Sequence, residues 1–212
     1  MTTTKTSTRR DDLIQAANRL FMAHGYHATG IDAILKEAGV SRMTLYNHFK
    51  SKDELILASL RHRHEQLLGQ IEEALSAAPP DPLDRLLAIV DFHARWITSP
   101  EFHGCAFVNA AAEFPDADCA IRKLIASHKR DVVALMAREA RSAGLDRPEA
   151  LAERVHLVLE GAISASLSTT APCAMVPNAL PPDEAASHAR AACEILIERA
   201  FESAPARTPD AP

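Results

Sequence analysis

The stretch from Thr29 to Leu55, TGIDAILKEAGVSRMTLYNHFKSKDEL, constrains this chain more than any other part of it. Ile31, Ile34, Leu35 and Ala38 fall at helical spacing, and Thr29 ahead of them is a candidate N-cap. Gly39 ends that run, because glycine enters the left-handed region without a steric penalty. Val40 suits the gap between two helices, and Ser41 is a candidate cap for a second helix opening at Arg42. Leu45 and Phe49, four apart, share one side of that helix and face inward. Arg42, Thr44, Tyr46, Asn47 and His48 are then left to face outward. Two short helices about a tight turn, the second with a polar outer side, form the layout of a helix-turn-helix.

Several pieces in one register carry a wider likeness. They are Ala16-Ala17 and Leu20-Phe21, Gly25-Tyr26, Thr29 to Ile34, and Ala38-Gly39-Val40-Ser41. Thr44-Leu45-Tyr46, His48-Phe49, Ser51-Lys52 and Leu55 complete the set. Residues 10–55 thereby resemble the DNA-binding domain of the tetracycline-repressor (TetR) family of bacterial transcription regulators. Gly30 departs from the family's pattern, which has a larger residue there. Glycine inside a helix costs about 1 kcal/mol relative to alanine, and less in the first turn. The resemblance implies a three-helix DNA-reading head and a ligand-responsive helical body. It also implies a homodimer made by the last two helices.

Composition fits that division. Hydrophobic residues make up 47% and charged residues 24%, a globular balance rather than a disordered one. The net charge is −5, unevenly placed. Residues 1–50 hold seven Lys and Arg against four Asp and Glu; the remainder holds sixteen against twenty-four. A basic front on an acidic body suits a protein that offers only its front to phosphate. Cys105, Cys119, Cys173 and Cys193 make neither a CxxC pair nor a zinc pattern. The N-terminus, MTTTKTSTRR, lacks an apolar signal core, and no apolar run approaches the ~18 residues that span a bilayer. The expectation is a cytoplasmic protein with reduced thiols.

Taken in order, residues 1–8 read as a flexible Thr/Ser-rich lead, with Arg9 and Arg10 near DNA backbone or solvent. A first helix runs from about Asp11 to His24, buried through Leu13, Ala16, Ala17, Leu20 and Phe21. Ser51 caps a long helix reaching about Ala77; its Arg61-His62-Arg63-His64 run reads as a solvated face. Pro79-Pro80-Asp81-Pro82 is the clearest break. Helices follow over about 82–98, 102–114, 116–143, 148–168 and 183–202. The segment Phe102 to Phe114 is apolar nearly all round and is expected to be buried. Gly161, Ala162, Ala165 and Ser166, with Ala185, Ala189, Ala192, Cys193, Leu196 and Ala200, give the last two helices small-residue faces. Such faces suit a close isologous contact. The chain thus reads as all-α with about nine helices. A DNA-binding helix-turn-helix domain covers 1–50, a helical ligand-binding and dimerisation domain covers 51–205, and a disordered tail covers 206–212.

For the DNA end, Arg42, Thr44 and Asn47 are base-edge candidates: Arg grips guanine in a fork, and the Thr methyl meets thymine. Tyr46, His48 and Lys50 are placed for phosphate oxygens, and Met43 lies on the same face. Thr29, at a helix N-terminus, is a further phosphate candidate. So short a reading helix spans few base pairs, which asks for a dimer on double-stranded operator DNA. For the body, Phe92, His93, Trp96, Phe102, Cys105, Phe107, Asn109, Glu113 and Phe114 concentrate aromatics with a few polar groups, as a small-molecule pocket does, and His128 and His156 are further pocket candidates. An ordinary core is the alternative. Glu113 on a buried helix needs a partner, with His93, His103, His128, His156 or Arg95 as candidates. The leading expectation is a repressor released by a small apolar or aromatic effector, with no cofactor and no metal. The alternatives are a metal- or redox-responsive regulator of the same fold, with Cys105 as sensor, or an enzyme using Glu113 and a histidine.

Overall fold

A computed structural model describes residues 8–170 and 180–203, and among them the backbone forms nine α-helices and no strand. By internal contacts the chain divides into two units. The first is Met1–Leu67 with Cys105–His128; the second is Leu68–Gly104 with Lys129–Pro212. The expected tail over 206–212, the prolines at 172 and 177, and Cys173 lie outside the described residues.

In the first unit, α1 (Arg9–His24) starts two residues before the expected Asp11. Thr8 explains the shift: its Oγ1 accepts from the Asp11 N–H while the Asp11 carboxylate accepts from the Thr8 N–H. Arg10 therefore sits on the first turn, its guanidinium 5.3 Å from the centre of the Phe49 ring. Helix α1 ends at Gly25, whose φ of 86° lies in the left-handed region. Helix α2 (Ile31–Ala38) ends on Gly39 at φ 64°, ψ 34°, with amides of residues 39 and 40 returning to Leu35 and Lys36 carbonyls. Helix α3 (Arg42–His48) is capped by the Ser41 hydroxyl, which accepts from the Thr44 N–H at 3.1 Å. Leu13, Ala17, Phe21, Ile34, Leu45 and Phe49 are buried in this unit, and an Arg19–Glu37 ion pair joins α1 to α2.

The expected cap of α2 is corrected. Gly30 is its N-cap, with no side-chain bond, while Thr29 turns inward at 3% exposure. The Thr29 hydroxyl donates to the carbonyls of Gly25 (2.6 Å) and Leu20 (3.2 Å), so it ties α2 back to α1.

Helix α4 (Lys52–Ala77) starts in the first unit and continues into the second. The Ser51 hydroxyl accepts from the Glu54 N–H at its start. Its His64 is half-buried, not part of a solvated face: His64 Nδ1 lies 3.0 Å from His128 Nδ1. Helix α5 (Pro82–Ile97) is capped by Asp81, which accepts from Leu83 and Asp84 amides. Helix α6 (Ala106–Glu113) is shorter than the apolar run suggested, because Gly104 at φ 86° breaks the chain before it. It also leaves Ala112 exposed.

Helix α7 (Ala120–Ser142) begins four residues after the expected start, and α8 (Pro148–Thr170) follows Arg147 at φ 54°. Helix α9 (Pro182–Glu202) packs against both α8 and α5 in the second unit. Arg85 donates to the buried Glu139 carboxylate and to the Leu75 carbonyl, while Arg138 reaches Glu72. These bonds fasten the second unit's part of α4 to α5 and α7. Ala162, Ser166, Ala185, Ala189 and Cys193 are buried within the single chain. Much of the small-residue surface therefore serves the α8–α9 contact inside one protomer. The outer faces carry Leu157 and Gly161 on α8, and Ala191 and Ile195 on α9. Among the described residues no helix is long and apolar enough to cross a membrane.

Candidate functional site

Helix α3 is a two-sided rod. Leu45 and Phe49 are buried, while Met43 is 75% and Tyr46 50% exposed. Arg42, Asn47, His48 and Lys50 are also exposed. A large apolar Met and an amphipathic Tyr left in water are not explained by packing within the chain. Thr44 is half-buried, its hydroxyl 2.9 Å from Ser41 Oγ. Thr29 does not join this face, because its hydroxyl is consumed in the first unit's core. The backbone amides free at the start of α2 belong to residues after Gly30.

Asp32 is a member of the face that the sequence pattern missed. Its carboxylate accepts from the Arg42 guanidinium, and both side chains are largely exposed. The hydrogen bond first, and the charge second, raise the Arg42 pKa above its ordinary value. An acid in the first turn of α2, inside a basic head, was the available signal. Lys50 is exposed, and its backbone N–H donates 2.7 Å to Glu54 Oε2.

The pocket candidates divide between the two units. Cys105, Phe107, Asn109, Glu113 and His128 belong to the first; Phe92, His93, Trp96, Phe102 and His156 belong to the second. In the first unit Phe107 stacks on His128, ring centres 3.5 Å apart and planes 9° apart. Glu113 is half-buried, and its partner is none of the side chains expected for it. Its carboxylate accepts from the backbone N–H groups of Tyr26 (2.8 Å) and His27 (2.7 Å). His27 Nε2 donates back to the Glu113 carbonyl, and the Tyr26 hydroxyl donates to the Ala106 carbonyl at 3.0 Å. The Tyr26-His27 pair thus grips α6 at both ends. Lys52 Nζ holds the His27 carbonyl as well. Burial above all pushes the Tyr26 phenol far above its ordinary range, so it stays protonated.

In the second unit His93 is 4% exposed, and burial drives its pKa down to about 4. His156 is lowered too, first by burial. Beside them Lys129 Nζ meets Glu160 Oε2 at 2.6 Å. Trp96 packs edge-on against Phe102. Among the described residues no three His, Cys, Asp or Glu side chains gather to hold a metal ion. The Cys193 thiol is buried, its pKa pushed up to about 12, which leaves it unreactive.

A short helix on a glycine turn, its apolar edge inward and its polar edge outward, defines a helix-turn-helix protein. The comparisons with known proteins carry this further. Residues 13–59 match the model for bacterial regulatory proteins of the tetR family, and residues 82–180 match the tetracyclin repressor-like C-terminal domain. The chain belongs to the TetR family. It is 43% identical over 83 residues to the transcriptional activator FasR of Mycolicibacterium smegmatis, covering 39% of this chain and 37% of that protein. It is 34% identical over 88 residues to the repressor KstR2 of the same organism, covering 42% of each. The chain therefore spans about two fifths of the length of these curated relatives. A solved TetR-family transcriptional regulator from Streptomyces coelicolor is similar over nearly the whole length. It shows a TM-score of 0.80 and 29% identity, covering 91% of this chain and 95% of that one.

Proposed function

We propose that the protein is a sequence-specific, operator-binding transcription regulator that works as a homodimer and is released from DNA by a small molecule. The observation that carries this is the outward face of α3, where Arg42, Met43, Tyr46, Asn47 and His48 stand exposed around an inward Leu45. In this reading α3 enters the major groove, with Arg42, Thr44 and Asn47 at base edges. Tyr46, His48 and Lys50 meet phosphates and set the register. Asp32 aims the Arg42 fork before contact, which lowers the freedom lost on binding.

The division of labour runs with the sequence: a DNA head over 1–50 and a ligand and dimer body over 51–205. Leu157 and Ile195, large apolar side chains exposed on α8 and α9, support pairing through those two helices. Effector binding has to favour one spacing of two heads over another, since equal affinity for both would shift nothing. Release by the effector, and so repression in its absence, is the form this reading takes; the named relatives include an activator and a repressor.

A gel shift on the promoter beside the gene, repeated across salt, tests the DNA claim. Binding that weakens steeply with salt yet survives excess competitor DNA is expected. Light scattering behind size exclusion tests the dimer; a clean monomer at micromolar concentration refutes it.

A further inference from the structure

Residues 1–50 hold four acids, and three of them serve the fold. Asp11 closes the capping box of α1, Asp12 pairs with Arg9 one turn away, and Glu37 pairs with Arg19 across α1 and α2. Asp32 differs. It stands in the first turn of α2 with its side chain 81% exposed, and it accepts from the guanidinium of Arg42 at the start of α3, itself 55% exposed. An ion pair this open contributes little to stability. A negative charge in the first turn suits the α2 dipole, yet that role asks for no partner on α3. A carboxylate beside groups that meet phosphate is repelled by it, unless a donor on the DNA receives it. In the major groove those donors are cytosine N4 and adenine N6.

We propose that Asp32 is a specificity-determining residue of the DNA face: its carboxylate accepts a hydrogen bond from cytosine N4, in the base pair next to the guanine that Arg42 grips. This rests on reading α3 as the major-groove helix, and it names the base chemistry that the Asp32–Arg42 pair selects. Cytosine suits a carboxylate better than adenine does, because adenine sets an acceptor, N7, next to its N6 donor. Guanine and thymine turn only acceptors toward the groove, and an ionised carboxylate has no proton to give them. The bond to Arg42 fixes where the carboxylate stands, since each helix holds one end of the pair. Asp32 therefore acts in two ways. It rejects wrong bases at one position, and its charge weakens binding to every sequence that offers it no donor.

The test selects binding sites from a random duplex library with the full chain, with Asp32→Ala and with Asp32→Asn. The recovered site and its single-base variants are then titrated at fixed salt. The unaltered chain is expected to enrich a guanine with a cytosine in the adjoining base pair of each half-site. Replacing that cytosine should weaken its binding about tenfold. In Asp32→Ala the preference at the cytosine position should fall to within about twofold, the guanine should stay preferred, and affinity for competitor DNA should rise. Asp32→Asn keeps the shape of the side chain, which guards against a folding loss, and should move the preference from cytosine toward adenine. Base preferences unchanged in both variants overturn the proposal, as does a recovered site without that cytosine. So does affinity lost equally for every sequence, the mark of a carboxylate that only steadies Arg42 or α2. Each of these leaves the operator reading intact. A library from which the unaltered chain enriches no site sinks the operator reading, and this proposal with it.

Discussion

Truncating Glu113 is the sharpest perturbation of the first unit. Its carboxylate receives two amide hydrogens, at 2.8 Å from Tyr26 and 2.7 Å from His27. A bond from a neutral amide to a charged acceptor contributes about 1.5–3 kcal/mol. The two do not count fully. His27 is exposed, so water replaces the carboxylate there at little loss. Tyr26 is buried, and its amide is left with poorer access to solvent. Glu113→Ala is therefore expected to destabilise by about 2–3 kcal/mol. Glu113→Gln keeps one acceptor oxygen but turns an NH₂ toward a second donor, and about half of that loss is expected. Urea unfolding at constant m value measures both.

Hydrogen exchange supplies the residue-level check: Tyr26 and His27 amides should lose protection in Glu113→Ala while α2 keeps most of its own. A second route to the same clamp runs through Gly25. A Cβ there would stand 2.9 Å from Glu113 Oε1, on a backbone at φ 86° that side chains rarely adopt. Gly25→Ala should match or exceed the loss of Glu113→Ala, and the double variant should lose less than the two singles added together. A loss under about 0.5 kcal/mol in Glu113→Ala, with amide protection unchanged, would refute the clamp.

Three further outcomes are expected. Arg42→Ala should weaken operator binding by about 1–3 kcal/mol with the fold unchanged, read by footprinting at fixed salt; equal affinity removes Arg42 from the reading set. Gly30→Ser should raise stability by about 0.5 kcal/mol, because Gly30 sits at φ −81° with open space around it and serine adds the missing cap; a loss by thermal melt contradicts the cap assignment. For His93 the folded pKa of about 4 lies below the ordinary 6.5, so the unfolded chain binds more protons between those values. Stability is then full above pH 6.5 and falls by up to about 3 kcal/mol as the pH drops toward 4. His93→Phe should flatten that limb, and an unaltered slope places the titration elsewhere.

The helix-turn-helix was legible because its causes are local. Gly39 ends α2, Ser41 caps α3, and Leu45 with Phe49 sets which side turns in, all within a dozen residues. Periodicity tells which side of a helix is buried but not what it meets. That is why the small residues of α8 and α9 suggested a partner chain, whereas Ala162, Ser166, Ala189 and Cys193 are already covered within one protomer. The same limit hid the clamp: Glu113 reaches residues 86 and 87 positions away through their backbone amides, and an amide carries no signature of residue type. It also hid the His64–His128 pair, whose members sit on helices far apart in sequence. The two kinds of knowledge map onto two functions. Operator reading in a helix-turn-helix is a property of one short segment, so a segment suffices to see it. Effector choice depends on side chains that several helices bring together, which no single stretch of sequence spells out. A chain can therefore declare that it reads DNA while leaving unstated what turns it off.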